Sequence, residues 1–257
     1  MVQVSQKCEP VLVLTACVDP QGMSYMALQD KGTRFSQYKM ALEWYLGHTQ
    51  LRIVFGENSG FDITPYFESY IQAGRLEVLT FKGNDYNRNF GKGYGEAATL
   101  DYILQHSAFI NEETIVIKVT GRVICKNINT LAWAYRAKDT VYSFPFEDAK
   151  GRMESHSQVI FSPKLFYDKY FLPRREELDD SRDYWFEHLL YDVIQTWASD
   201  GHRYKEMWIP PITEGTSGTT GDALKSTGFK YIVAYYIKYF LHQCHYYGPI
   251  NIFKRKL

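Results

Sequence analysis

The chain has 257 residues, and its 29 Lys and Arg balance 29 Asp and Glu to a formal charge of zero. A protein that works on the phosphate backbone of nucleic acid needs a strong basic excess, so that class is excluded. Hydrophobic residues at 45% and charged residues at 23% exclude wholesale disorder, and the 16% aromatic share serves core packing first and sugar binding second.

The N-terminus MVQVSQKCEP is polar and shows no signal-peptide pattern. Cys8, Cys17, Cys125 and Cys244 lie far apart without metal-ligand spacing, which reads as reduced thiols in a cytoplasmic protein. Val11 to Ala16, a continuous β-branched run, predicts a strand buried on both faces. A helix is expected over Ser36 to Leu46, then a second strand over Leu51 to Phe55. Thr64 as N-cap with Pro65 behind it predicts a short helix that Gly74 stops. Leu76 to Phe81 reads as a third strand, the polar segment KGNDYNRNFGKGYG as a loop, Glu96 to His106 as a helix and Thr114 to Val119 as a fourth strand.

Alternating strands and helices at this spacing imply an α/β fold with a mostly parallel central sheet and helices on both faces. The second half is more mixed. Strands are expected at Val141 to Phe146, Gln158 to Phe161 and Lys205 to Ile209, and helices at Pro163 to Phe171, Tyr184 to Trp197 and Phe229 to His245. PPITEGTSGTTGD reads as irregular, and nothing forces a domain cut, so residues 1–257 are taken as one domain, with a ligand-binding half at 11–127 and a second half at 128–257.

A parallel sheet of this kind binds ligands beyond the carboxyl ends of its strands. That rule selects Thr15, Ala16, Glu57, Asn58, Gly121 and Arg122, with Arg34 able to reach the same crevice from the first helix. Lys118 and Arg122 flank a buried strand end, where a cation needs an anionic ligand or an internal carboxylate; spacing leaves both readings open. Lys92 and Gly93, in NFGKGYGE before a helix, offer backbone N–H groups to a phosphate, or form an ordinary turn. Ser217 and Thr219 sit in a Gly/Ser/Thr loop that reads equally as a lid or a connector. Glu187, in DYWFEH, is a carboxylate among aromatic rings, suited to a general base or to stabilising a first helical turn. Paired metal-ligand spacings, HExxH and GxSxG are absent.

The succession VLVLTACVDP, Arg34 with Gln37-Tyr38, IVFGENSG, GKGYGE and IKVTGRVICKN resembles bacterial glycosyltransferases of capsule and lipopolysaccharide synthesis, over about Val11 to Gly221. The resemblance implies a GT-A-like Rossmann-type sandwich and transfer of a sugar from a nucleotide-sugar donor to a hydroxyl of a glycan or lipid-linked acceptor. It implies residues 11–127 as the nucleotide-sugar half, 128–257 as the acceptor half, and Glu187 as the base of an inverting displacement. The Asp-x-Asp motif with which such enzymes hold a metal is missing; its place reads Val119-Thr120-Gly121-Arg122. A metal-independent enzyme follows as the expectation, with Lys118, Arg122 and Lys92 meeting the departing diphosphate. Tyr231, Ile232, Tyr235, Tyr239 and Phe240 with the FKRKL tail read first as a core helix with a solvated basic tail, and second, in line with the resemblance, as a contact with the cytoplasmic face of the inner membrane near a lipid-linked acceptor. A sugar-nucleotide nucleotidyltransferase and a non-catalytic carbohydrate-binding protein are the rival readings; the first would place a Gly-rich basic loop directly after strand one, where CVDPQGMSYMALQDKGTR stands instead.

Overall fold

A computed structural model describes residues 9–23, 27–216, 221, 223–226 and 228–247. Strand β1 (Val11–Ala16) leads to helix α1 (Lys31–His48), which begins earlier than its apolar stripe because Asp30 caps it, its carboxylate accepting the Thr33 N–H at 2.8 Å. Strand β2 (Arg52–Glu57) follows, then a 3-10 turn at Thr64–Tyr66, helix α2 (Glu68–Gln72) and strand β3 (Leu76–Thr80). Ile63 rather than Thr64 is the residue before that turn.

Helix α3 spans Gly91–His106, so the glycine segment expected as a loop is its first turn. Gly91 adopts φ +77, and a Cβ there would fall 2.0 Å from the Asp180 carboxylate. A Cβ at Gly93 would meet the Phe186 backbone at 3.1 Å. These glycines let the start of the helix press against residues distant in sequence, a demand that local pattern does not display.

Strand β4 (Ile115–Thr120) is followed by β5 (Ile124–Cys125) and α4 (Ile128–Ala134). The single strand expected at Val141 to Phe146 is two: β6 (Thr140–Ser143) and β7 (Pro145–Glu147), the latter paired with β8 (Met153–Ser155). After β9 (Val159–Pro163), the chain turns through α5 (Lys164–Phe166), a π turn at Tyr167–Phe171 and a 3-10 stretch at Leu172–Glu177. Helix α6 (Phe186–Ser199) and strand β10 (Arg203–Glu206) come next. Part of the segment expected to be irregular is strand β11 (Thr213–Thr216), which pairs with β12 (Ala223–Lys225) and β5. Partners far along the chain supply its ladder, so its Gly/Thr content gave no warning. Helix α7 (Phe229–Tyr247) is the last element described.

Seven strands form the central sheet in the order β10-β6-β9-β4-β1-β2-β3, parallel except for β9, which runs antiparallel to both neighbours. Alternation sends Leu12 and Leu14 to the face covered by α1 and α4, and Val11 and Val13 to the face covered by α3 and α6. The fold is thus the expected α/β sandwich with a more mixed second half. β2 and β3 are laid down on one side of β1 and β4 on the other, so the parallel strands β1, β2 and β4 open their carboxyl ends on one crevice at this switch point.

Candidate functional site

Two cavities lie along that rim. The first, of about 80 Å³, is bounded by Thr15, Ala16, Asn58, Glu96 and Arg122 together with Arg34 and Lys92. The second, of about 460 Å³, is bounded by Lys92, Glu154, Ser157, Asp180, Trp185 and Glu187. Lys92 faces both, so the two are neighbours around one lysine at the start of α3.

The first cavity has a net positive wall, since Arg34, Lys92 and Arg122 face the single carboxylate of Glu96. Arg34 is buried: its guanidinium donates to Cys17 O (2.8 and 2.5 Å), Leu28 O (3.2 Å) and the Tyr38 hydroxyl (3.1 Å). Arg122 is 9% exposed, and its Nε and Nη1 have no hydrogen-bond partner among the described residues. Burial lowers its pKa, and the net effect survives the nearby Tyr38 and Glu96. Asn58 Oδ1 and Asn84 Oδ1, which line the same cavity, are also buried without a partner there. Orphaned buried polar atoms are rare in native proteins, and several in one crevice mark a place that a polar ligand completes. Tyr86 narrows the entrance: its hydroxyl donates to Gly91 O at 3.1 Å and lies 3.7 Å from the Met23 sulfur.

Lys118 takes the internal alternative. It is fully enclosed, with Nζ 2.6 Å from Glu96 Oε1 and donating to Ser157 O at 2.6 Å. Burial pushes the Glu96 carboxyl up, but the Lys118 charge and the Thr15 hydroxyl (2.9 Å) outweigh it and hold the group below its ordinary range. Lys118 therefore forms the floor between the cavities and has no open path to a ligand; a lysine next to a β-strand end was legible, its carboxylate partner was not.

Glu57 is likewise occupied. It is wholly buried, accepting from Val18 N (2.8 Å), Phe61 N (2.8 Å), and both Ser59 N (3.0 Å) and its hydroxyl (2.5 Å). It ties the loops after β1 and β2 together and does not line either cavity. Gly121 spares space for the strand rather than for a ligand: its N–H donates to Thr15 O at 2.9 Å, and a Cβ would stand 2.6 Å from that oxygen. Gly93 packs against Phe186, as above. Ser217 and Thr219 lie outside the described residues. Glu96, seen in sequence only as an early helical acid, is the site residue the reading missed.

In the second cavity, Glu187 stands in the first turn of α6 and accepts the Ser157 hydroxyl at 2.5 Å. Asp180, whose carboxylate accepts the Lys92 N–H at 3.3 Å, has its pKa pushed up to about 6 by burial, with Lys92 opposing and the Glu187 charge adding. Glu154, 4% exposed, is raised to about 7 by burial and then by the charges of Glu187 and Asp148, against the Trp185 indole N–H that donates to it at 2.5 Å.

Asp148, Glu154 and His188 bring three ligand-type atoms within 4.8 Å of one another. Their chemistry does not fit the divalent ion of a GT-A-like enzyme. Asp148 already accepts Nε of Arg152 at 2.8 Å and backbone N–H groups of Lys150 and Arg152, both at 2.8 Å. His188 Nε2 lies 3.1 Å from Glu154 and 3.4 Å from Asp148, and its Nδ1 lies 3.4 Å from the Trp185 N–H. At the end of β4, where the metal motif would stand, Arg122 would repel a cation.

The raised Glu154 pKa has a stability consequence. Its folded value exceeds the ordinary 4.5, so this group's contribution is complete below about 4.5 and is lost as pH rises through about 7. Glu154→Gln is expected to raise the melting temperature more at the alkaline end of that window than at the acid end. A gap that does not widen with pH, measured by thermal unfolding, refutes the assignment.

No family profile and no curated protein matches the chain. Among solved structures it is similar to a protein described as a nucleotide-diphospho-sugar transferase from Desulfovibrio desulfuricans G20, with TM-score 0.45 and 8% identity over 77% of this chain and 79% of that one. The galactosyltransferase LgtC, solved with donor and acceptor sugar analogs, gives 0.45 and 12% over 71% and 70%. An inositol-1-phosphate CTP transferase from T. maritima gives 0.39 and 13% over 78% and 85%. At these identities the likeness is one of chain path and assigns no residue a role.

Proposed function

We propose that the chain is a glycosyltransferase of bacterial surface-polysaccharide synthesis, passing a sugar from a nucleotide-sugar donor to a hydroxyl of a glycan or lipid-linked acceptor, with inversion and without a divalent ion. The observation that supports it most is the unpartnered guanidinium edge of buried Arg122 in a positively walled crevice at the rim of a parallel sheet. A diphosphate supplies the acceptors that this edge lacks, and the base or ribose supplies donors for Asn58 Oδ1 and Asn84 Oδ1. At about 80 Å³ the crevice suits a diphosphate and the edge of the nucleoside that reaches the two amides, and the rest of the nucleoside extends past Tyr86 and Met23.

The acceptor occupies the wider cavity. Its hydroxyl gives its proton to the Glu187 carboxylate while its oxygen bonds to the anomeric carbon from the face opposite the diphosphate. The bond from that carbon to the diphosphate oxygen breaks, and the electron pair departs with the nucleoside diphosphate. Arg122 and the Lys92 side chain meet the charge that develops. Ser157 fixes the Glu187 carboxylate by its hydrogen bond.

Arg122→Met separates binding from folding. Removing a charged hydrogen-bond donor is expected to weaken nucleoside diphosphate binding by roughly 10–100-fold, the worth of about 1.5–3 kcal/mol. The same change is expected to raise the melting temperature of the free protein, because the orphaned donors disappear. Thermal shift with UDP, GDP, CDP and ADP reads both effects, and unchanged affinity overturns the role. Release of a nucleoside diphosphate in excess chelator is the expected product pattern. Release of pyrophosphate identifies a nucleotidyltransferase instead, and loss of activity restored by manganese defeats metal independence.

We further place the chain peripherally at the cytoplasmic membrane face, through α7. Among the described residues no helix is long and apolar enough to cross a membrane. The exposed large apolar residues of α7 are Phe229, Val233, Tyr236, Ile237, Phe240 and Leu241, and Lys230 and Lys238 are exposed beside them. Tyr235, expected on that surface, turns inward, its hydroxyl donating to Met207 O at 2.7 Å, and Tyr231 donates to Pro211 O at 3.2 Å. The tail FKRKL lies outside the described residues.

A further inference from the structure

A third cavity, of about 260 Å³, lies between α7 and the strand segments around β6 and β9. Phe144, Val159, Met207, Pro211, Ala234 and the rings of Tyr231 and Tyr235 give it a chiefly apolar surface, with Thr213, Ser226 and Lys238 as its polar edge. It does not stand alone. Phe146, His156 and Gln158 line both this cavity and the one that holds Glu187, so a ligand at the carboxylate can extend without leaving the protein.

The junction is built for an uncharged guest. The His156 ring packs against Phe146 at a centroid distance of 4.4 Å and lies 5.9 Å from Phe144. Apolar surroundings, with the Lys238 charge adding, push the His156 pKa down to about 4, so the imidazole is neutral at working pH. Tyr235 stacks on Phe144 at 4.4 Å, and both rings hold the far wall. The hydroxyls of Tyr231 and Tyr235 are spent on backbone carbonyls, which leaves ring faces toward the cavity rather than polar ends.

We infer that this cavity binds an alkyl or aryl group attached to the acceptor sugar, so that the acceptor is an amphiphile whose hydroxyl is at Glu187 and whose apolar part lies beneath α7. This rests on the glycosyl-transfer reading for the identity of the guest. The space admits roughly eight methylene-sized groups, taking about 30 Å³ for each. Each methylene buried raises affinity by roughly fourfold. A simple sugar leaves the apolar wall wet and gains nothing from it.

Titration calorimetry with octyl β-D-glucoside below its micelle concentration, beside methyl β-D-glucoside, tests the inference. The octyl compound is expected to bind one site at least tenfold more tightly. Ala234, exposed on α7 and lining the cavity, is the position to fill. Ala234→Trp is expected to erase the preference while leaving the nucleoside diphosphate thermal shift at its wild-type value. Ala234→Leu, a smaller filling by a strong helix former, gives a partial loss and keeps the test open should the indole disturb the helix. Equal binding of the two glucosides by the wild type, or a preference that survives both fillings, overturns the subsite. A preserved octyl preference in a protein that no nucleotide shifts overturns the glycosyl-transfer reading instead, and with it the identity of the guest as an acceptor.

Discussion

Glu187→Gln is expected to lower turnover by roughly 10²–10⁴-fold, the range for lost acid–base catalysis, with nucleoside diphosphate affinity unchanged. The amide keeps the shape of the side chain and still accepts the Ser157 hydroxyl, so the cavity keeps its form. What it loses is a place for the acceptor's proton. The crevice proposed for the nucleotide lies on the other side of Lys92, which is why its binding is the control. Turnover and thermal shift on the same preparation read both arms. Near-normal turnover removes Glu187 as the base and directs attention to Asp180, whose carboxyl lines the same cavity with a pKa of about 6.

Lys118→Met is expected to destabilise the fold by about 3–5 kcal/mol, because it takes the directly bonded ammonium from the mostly buried Glu96 carboxylate and leaves the Ser157 carbonyl without its donor. For a chain of this size that corresponds to a fall in melting temperature of roughly 6–20 °C. Lys118→Met with Glu96→Gln is expected to recover much of the loss, since no uncompensated charge then remains. Lys118 also holds Ser157 through its carbonyl, and the Ser157 hydroxyl holds Glu187, so the single variant carries a turnover defect beyond its stability defect. A thermal scan showing less than about 1 kcal/mol of change would falsify the ion pair as a structural floor and return Lys118 to the list of ligand-binding cations.

The two substitutions probe neighbouring groups of opposite kind. One removes a carboxylate facing an open cavity; the other removes a cation sealed under it. The contrast between Lys118 and Arg122 follows the same line. Both are basic residues at the end of β4, yet one has three hydrogen-bonding or ionic partners and the other has a bare guanidinium edge. Alternation along the strand explains part of the difference, because residues at even spacing share a face, and Lys118 with Thr120 points to the α3 side. Arg122 lies past the strand end, where that alternation no longer binds it.

The strands β1, β2, β3 and β4 were legible in sequence to within a residue or two, because β-branched apolar runs such as VLVLTA, and IVI leading into Lys118, suit a doubly covered sheet. The carboxyl-edge rule also places Thr15, Asn58 and Arg122 at one rim, and all three line the smaller cavity. Glu187 was legible as an acid among aromatic rings, and its cavity is the one that Trp185 and Phe146 help to wall. Other features depend on contacts between residues far apart, and no local pattern carries them. Glu57 is pulled out of the crevice by three amides and a hydroxyl from loops on either side of it. The glycines at 91 and 93 are explained by Asp180 and Phe186, nearly ninety positions later. Strand β11 exists because β5 and β12 offer it hydrogen bonds. Periodicity and composition decide which segments are buried and in what order the layers stack, since each residue's solvation is its own property. Which cation is spent on a neighbour and which stays available is a pairwise matter, set by how the packed layers bring Lys118 to Glu96 and leave the buried Arg122 edge at the crevice without a partner among the described residues.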